Sequence, residues 1–339
     1  MEKMLIALMI LIISVCSSPI NGNKGDSIDK REVSMTIKEE SVTINKDTEW
    51  AIHGTLTIPD GATGPVSAVV LVAGSGPNDR DETIYSNKPF KDIADYLTSK
   101  GIAVLRFDKR TLTYQSKVVS DIANFTVDQE YIQDSIAAVN FLKEDTRIDK
   151  TKVFILGHSE GGMLAPRIDS EGGDSAGIII MAGSPRSFAE IIYDQNMAII
   201  NTLPAEHKTI AQGQVDTLMA VFANLKTMSN DDAKKVSLAG ATGYYYKEMD
   251  AHPASEYLEN MTKPVLIMQG EKDFQVYANK DYKAYQTILD GKSNASFKLY
   301  IGLNHLFMTS TTGTVEEYKT PSHVDQAVLK DLSTWILSN

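Results

Sequence analysis

Cysteine is nearly absent from this chain of 339 residues: Cys16 is the only one. A single thiol excludes an internal disulfide and a multi-cysteine metal site. Basic charge is the minority sign, with 33 Lys and Arg against 44 Asp and Glu, for a net charge of −11. Phosphate backbones are bound by basic surfaces, so nucleic acid is excluded as a main partner. HExxH, GxxxxGK(S/T) and GxGxxG are all missing, and the histidines are not clustered. The zinc-protease, P-loop and dinucleotide signatures therefore fail, and the expectation is no metal and no cofactor. Long apolar runs are missing too. The run from Met4 to Val15 is about 12 residues, where a membrane span takes roughly 20.

That short run has a different meaning. Lys3 precedes it, and small polar residues and Pro19 follow. This is the layout of a signal peptide over residues 1–17, with cleavage after Ser17. An uncleaved anchor is the alternative. Residues 18–31 read as a flexible leader. The expectation is a secreted or envelope-associated protein with no stable membrane span after cleavage. Ile13-Ser14-Val15-Cys16 is similar to a lipobox, but Val15 fills a place that usually holds Gly, Ala or Ser. Cleavage past Ser17 leaves no cysteine, and with it no thiol catalysis.

Glu32 to Ile58 alternates apolar and polar residues and reads as two or three antiparallel strands. From Val66 the pattern changes. SAVVLVAG, GIAVLRFD, KVFILG, AGIIIMAG, KPVLIMQG and SFKLYIG are strand-like runs, several of them apolar throughout, as strands buried on both faces should be. Helical periodicity separates them at Pro89 to Ser99, Val127 to Lys143 and Gly162 to Ile168, and closes the chain from Ser322 to Leu337. Such alternation predicts an α/β fold, a mostly parallel central sheet with helices on both faces. One stretch breaks it. Residues 186–262 read as helices without a strand-like run. The expected layout is a core of 32–185 and 263–339, with 186–262 as a helical cap over the carboxyl ends of the strands.

The chemistry gathers at those ends. In KVFILGHSEGGMLAP a strand runs into Gly157-His158-Ser159-Glu160-Gly161 and then a helix, which is the pattern of a nucleophile elbow. The turn needs glycine at both ends, because side chains there would clash with the neighbouring chain. It lifts the Ser159 hydroxyl out of the sheet and aims the Glu160 N–H at the reacting centre. Serine needs a base. Of the six histidines, His305 follows the last strand, in YIGLNHLF, where such a base belongs. His158 belongs to the elbow itself, its ring expected to point away from Ser159. His53 lies in an early strand, His207 and His252 in the insertion, and His323 at the start of the final helix. Asp273, a few residues past KPVLIMQG, is the candidate acid, with Glu271 as the alternative. A second oxyanion donor is expected from the loop Gly74-Ser75-Gly76-Pro77, with the Ser75 N–H preferred and Gly76 next. The charged stretches Asn78 to Glu82 and Arg106 to Arg110 face the same edge. Arg80, Lys109 or Arg110 is expected to neutralise Glu160.

Taken together, LVAGSGPNDRDETI, NKPF, GIAVLRFDKRT, GHSEGG, GEKDFQV and NHLF resemble the EstD-type bacterial carboxylesterases of the α/β-hydrolase superfamily. The resemblance runs from about Ile52 to the end. It implies hydrolysis of short-acyl esters without a cofactor, with Ser159 as nucleophile, Asp273 as acid and His305 as base. Peptidases and acyltransferases share the elbow, so a peptidase or acyl-transferring activity is the second reading. A third is a non-enzymatic envelope binding protein on a hydrolase fold. The tyrosines of the insertion, Tyr244 to Tyr246 and Tyr257, line an acyl pocket or form the insertion's own core.

Overall fold

The computed structural model describes residues 36–339. The signal segment 1–17, the leader 18–31, Cys16 and residues 32–35 lie outside the described residues. Strands β1 (Ile37–Ile44) and β2 (Ile52–Pro59) form an antiparallel pair, joined by a turn with Asn45 at φ 54°. They are followed by β3 (Val66–Val72), α1 (Pro89–Ser99) and β4 (Ala103–Phe107). Two short helices, α2 (Arg110–Thr113) and α3 (Gln115–Ser120), lead to a wide helical turn at Asp128–Ile132. It continues as α4 (Gln133–Glu144). Then come β5 (Ile148–His158), α5 (Glu160–Ile168) and β6 (Ile178–Met181).

The sheet order shows how the site is built. Eight strands lie in the order β1-β2-β4-β3-β5-β6, followed by two later strands, β9 (Val265–Gly270) and β10 (Ala295–Tyr300). From β4 to β10 every neighbour is parallel, and β2 is antiparallel to both β1 and β4. Parallel strands put all their carboxyl ends on one rim, so the loops after β3, β5, β9 and β10 converge there.

Alternation along the strands divides the core between two faces. Val70, Ile155, Ile180 and Ile267 pack on one side with α4 and α5. Val69, Leu71, Phe154, Leu156, Ile179 and Leu266 pack on the other with α1 and with α12 (Gln326–Ser338). Each fully buried Val, Leu or Ile contributes about 1.5–3 kcal/mol, so these runs hold the rim rigid. The closing helix begins later than its periodicity predicts, because Asp325 caps it by accepting from the Ala327 N–H at 2.8 Å.

Between β6 and β9 lie α6 (Phe188–Thr202), opened by a Ser187–Glu190 capping box, and α7 (Ala205–Leu225). They are followed by α8 (Asn230–Ala233), α9 (Gly243–Asp250) and α10 (Ala254–Asn260). Residues 186–262 are expected to be helical throughout, but α8 ends at Ala233. Ala239 and Gly240, both at positive φ, turn a small antiparallel ribbon of β7 (Ser237–Leu238) and β8 (Ala241–Thr242). Ile191, Phe222, Tyr245 and Tyr246 from this stretch join the same hydrophobic cluster as β5 and β6. After β9, α11 (Lys283–Ile288) leads into β10. Among the described residues no helix is long and apolar enough to cross a membrane.

Candidate active site

Ser159 sits between β5 and α5 at φ 54° and ψ −118°. A non-glycine residue at positive φ costs on the order of 1–3 kcal/mol and persists only where the surroundings impose it. They do here. A Cβ on Gly157 would stand 2.1 Å from the Gly161 carbonyl oxygen, and one on Gly161 would stand 2.3 Å from that of Val72. The Ser159 N–H donates to Met181 O at 2.9 Å, which ties the turn to β6. Glu160 opens α5, so its N–H belongs to the first turn, whose donors have no intrahelical acceptor.

The loop after β3 approaches within contact: a Cβ on Gly74 would lie 3.0 Å from the Ser159 Cβ. The Gly74 carbonyl accepts from Lys109 Nζ at 3.1 Å, Tyr131 OH at 2.8 Å and Asn78 Nδ2 at 3.0 Å. In a planar trans peptide the following N–H points the opposite way. These donors therefore turn the Ser75 N–H away from themselves. Ser75, Ser159 and Glu160 line one narrow pocket of about 40 Å³, closed by Met163, Phe188, Ile191 and Val276.

Beyond β9 and β10, Asp273 and His305 meet. His305 Nδ1 lies 2.7 Å from Asp273 Oδ2, and both residues are buried. Asp273 also accepts from Gln269 Nε2 and from the N–H groups of Gln275 and Val276, all at 2.8–2.9 Å. A carboxylate so saturated fixes its geometry and keeps the hydrogen of His305 on Nδ1, leaving Nε2 to act. Glu271 turns elsewhere, is exposed, and accepts from the Gly302 N–H at 3.2 Å. The elbow and the base loop are joined by His158. Its Nε2 bonds the His305 carbonyl at 2.9 Å, and the two rings stand 4.7 Å apart.

The other histidines are engaged away from this rim. His53 faces Thr43, His252 bonds Tyr257 and His323 bonds Asp92. His207 is exposed. The helix after His323 starts at Gln326, so this residue does not cap it.

The charged stretches do not partner Glu160 as expected. Arg80 pairs with Asp108 at 2.5 Å, and Arg110 pairs with Asp134. Lys109 pairs with Glu130 at 2.7 Å. Glu160 faces tyrosine hydroxyls instead, Tyr131 at 3.1 Å and Tyr245 at 3.4 Å. Each hydroxyl has a nearer acceptor, Gly74 O at 2.8 Å and Glu130 Oε2 at 2.8 Å. Burial pushes the Glu160 carboxyl up to about 7; Lys109 opposes this and the Glu130 charge adds to it. Burial thus biases the acid beside Ser159 toward its neutral form, and it has no ion-pair partner of its own. Tyr131 and Glu130 were not found from sequence, and Tyr245 was read there only as a pocket or core residue of the insertion. Tyr131 sits on the apolar face of a helix, where an aromatic reads as core.

A wider cavity of about 570 Å³ adjoins the narrow one and shares Ser75, Glu160 and Phe188 with it. Val118, Val119, Ile122, Phe125, Tyr245 and Tyr246 give it apolar walls. Tyr257 lies outside both cavities and bonds Glu171 at 2.8 Å. Among the described residues no group of three or more His, Cys, Asp or Glu is placed to hold a metal ion.

A mostly parallel sheet, a serine on a strand–helix elbow, and a histidine–carboxylate pair on loops beyond later strands define an α/β-hydrolase. The family model described as "Serine aminopeptidase, S33" matches residues 85–311. Esterase EstD of Thermotoga maritima is 36% identical over 303 residues, covering 89% of this chain and 68% of that protein. The chain belongs to this α/β-hydrolase family and is related to the EstD-type esterases. Among solved structures, Est1E from Butyrivibrio proteoclasticus has a TM-score of 0.55 at 14% identity, over 88% of this chain and 98% of its own. Brefeldin A esterase, a bacterial homologue of human hormone sensitive lipase, has a TM-score of 0.53 at 14% identity, over 93% and 80% respectively. At such identities these two structures share the fold.

Proposed function

We propose that the chain is a serine carboxylesterase that hydrolyses short-acyl esters through an acyl-enzyme. Ser159 Oγ attacks the ester carbonyl carbon while His305 Nε2 takes its proton. The N–H groups of Glu160 and Ser75 hold the oxyanion. The C–O bond then breaks, and His305 returns the proton to the leaving alcohol. Water, deprotonated by the same ring, releases the acid and restores Ser159. Asp273 orients the ring and stabilises the imidazolium. The observation that carries this reading is the Asp273–His305 pair tied through His158 to the strained residue Ser159.

The narrow pocket beside Ser159 supports a short acyl group, and the wider apolar cavity next to it suits the alcohol part of the ester. Residues 186–262 act as a cap: Phe188, Ile191 and Gln195 from α6 wall the narrow pocket. Export through the signal peptide at residues 1–17 puts the activity outside the cytoplasm, which fractionation of expressing cells tests.

Ser159→Ala is expected to lower kcat by at least about 10⁴-fold, as removal of a triad nucleophile does. Wild-type turnover by that variant would refute the mechanism. The name of the matching family favours a second reading, cleavage of peptide amides. Paired ester and anilide substrates of graded acyl length separate the two. The esterase reading expects activity confined to esters and falling with acyl length.

A further inference from the structure

The stretch Asn78 to Glu82 is not absorbed by this mechanism, yet it ends in a buried acid aimed at the elbow. Asp79 holds the loop by accepting from the Thr83 hydroxyl and from the N–H groups of Asp81 and Thr83 at 2.7–3.1 Å. Glu82, at φ 52° and 3% exposed, turns its carboxyl inward. Its Oε1 accepts from the Gly74 N–H at 2.7 Å and lies 2.9 Å from His158 Nδ1, while Oε2 has no partner. Across the ring, His158 Nε2 meets the His305 carbonyl at 2.9 Å.

Proton counting narrows the state of this pair. A carbonyl oxygen only accepts, so Nε2 carries a hydrogen. Oε1 already accepts from Gly74, and a second lone pair at 2.9 Å would repel it, so a proton lies between Oε1 and Nδ1 as well. On Nδ1 that proton makes the ring an imidazolium facing a carboxylate; on Oε1 it makes a neutral ring facing a carboxylic acid.

We propose that His158, held as an imidazolium by Glu82, is a positioning residue. It ties the oxyanion loop at Gly74 and the base at His305 to the elbow, and it places a positive charge beside the His305 ring, 4.7 Å between ring centroids. This rests on the roles given above to Ser75 and His305. Burial acts to lower the pKa of His158, but the charge and hydrogen bond of Glu82 outweigh it and hold the pKa above the ordinary value. The charged and titratable groups facing the pair are Asp273 and His305 from the base loops, Tyr318 and Tyr131; α1 contributes only the Phe90 ring, 6.4 Å away.

The test has two arms. In wild-type protein labelled with ¹⁵N-histidine, the resonances lost in His158→Gln belong to residue 158. They are expected to show two ring N–H groups from pH 6 to pH 8. A single ring proton at pH 7 overturns the proposal. In Glu82→Gln the ring sheds a proton. We expect kcat to fall about 10-fold or more with KM within about 3-fold, and the acid limb of kcat/KM to move to higher pH by about half a unit. Glu82→Asp, which keeps the charge, should restore the acid limb while leaving kcat low. A folded Glu82→Gln protein with the wild-type kcat and pH profile also overturns the proposal. Turnover by Ser159→Ala would instead sink the mechanism on which it rests, and the ring-proton measurement does not depend on that outcome.

Discussion

Two buried clusters flank Ser159, and they handle charge in opposite ways. On the base side every charge meets a partner: Asp273 accepts four hydrogen bonds, and Glu82 faces His158. On the other side Glu130 and Glu160 share one cation, Lys109, which bonds only the first of them. The base side is built to hold a fixed arrangement of charge through the reaction. The other side is built to avoid charge next to the oxyanion, and tyrosine hydroxyls stand where Arg80, Lys109 or Arg110 was expected. A buried carboxylate is tolerated either by saturation or by neutralisation, and this site uses one on each flank.

Breaking the saturated side should have the largest effect. Asp273→Asn allows the His305 ring to adopt the wrong tautomer, so kcat is expected to fall by about 10³–10⁴-fold with KM little changed. Steady-state kinetics on a short-acyl ester would show this, and a loss below 10-fold would assign the orienting role to another group.

The second effect belongs to Lys109, which serves both Glu130 and the Gly74 carbonyl and lies over the Tyr131 ring. Lys109→Met leaves Glu130 buried without its cation. A loss of about 3–5 kcal/mol in unfolding free energy is expected, as for other broken buried pairs. Urea denaturation measures it, and a change under about 1 kcal/mol would mean the pair is not buried in solution.

The smallest effect is the most diagnostic. The Glu160 carboxyl is raised from an ordinary 4.5 to about 7 in the folded protein. Between those values the folded state keeps a proton that the unfolded state has lost, so wild-type stability falls as pH rises through that window. Glu160→Gln removes this loss. Relative to wild type it should gain up to about 3 kcal/mol between pH 4 and pH 8, with kcat at pH 6 within about 3-fold. Equal stability differences at both pH values would show that the Glu160 carboxyl is not raised above its ordinary value in the folded protein.

The same division governs what could be read from sequence. The parallel strands were legible because burial on both faces leaves continuous apolar runs, and the elbow because only glycine fits beside two backbones. Asp273 and His305, chosen by their distance past a strand, lie 2.7 Å apart. Pairings between loops were not legible. Arg80, Lys109 and Arg110 stand on neighbouring loops, yet each takes a different acid, and nothing local says which. Glu82 and His158 meet across 76 positions with no periodicity to announce it. The ribbon around Ala239 and Gly240 was missed because its two-residue strands leave no alternation to detect.

The central claim is that the Ser159 hydroxyl is the attacking atom. Brief exposure to a fluorophosphonate, followed by peptide mapping by mass spectrometry, tests it most directly. One phosphonyl adduct per chain, on the peptide carrying Ser159, is the expected result. An adduct on another residue, or a folded and active enzyme that takes up none, would contradict it.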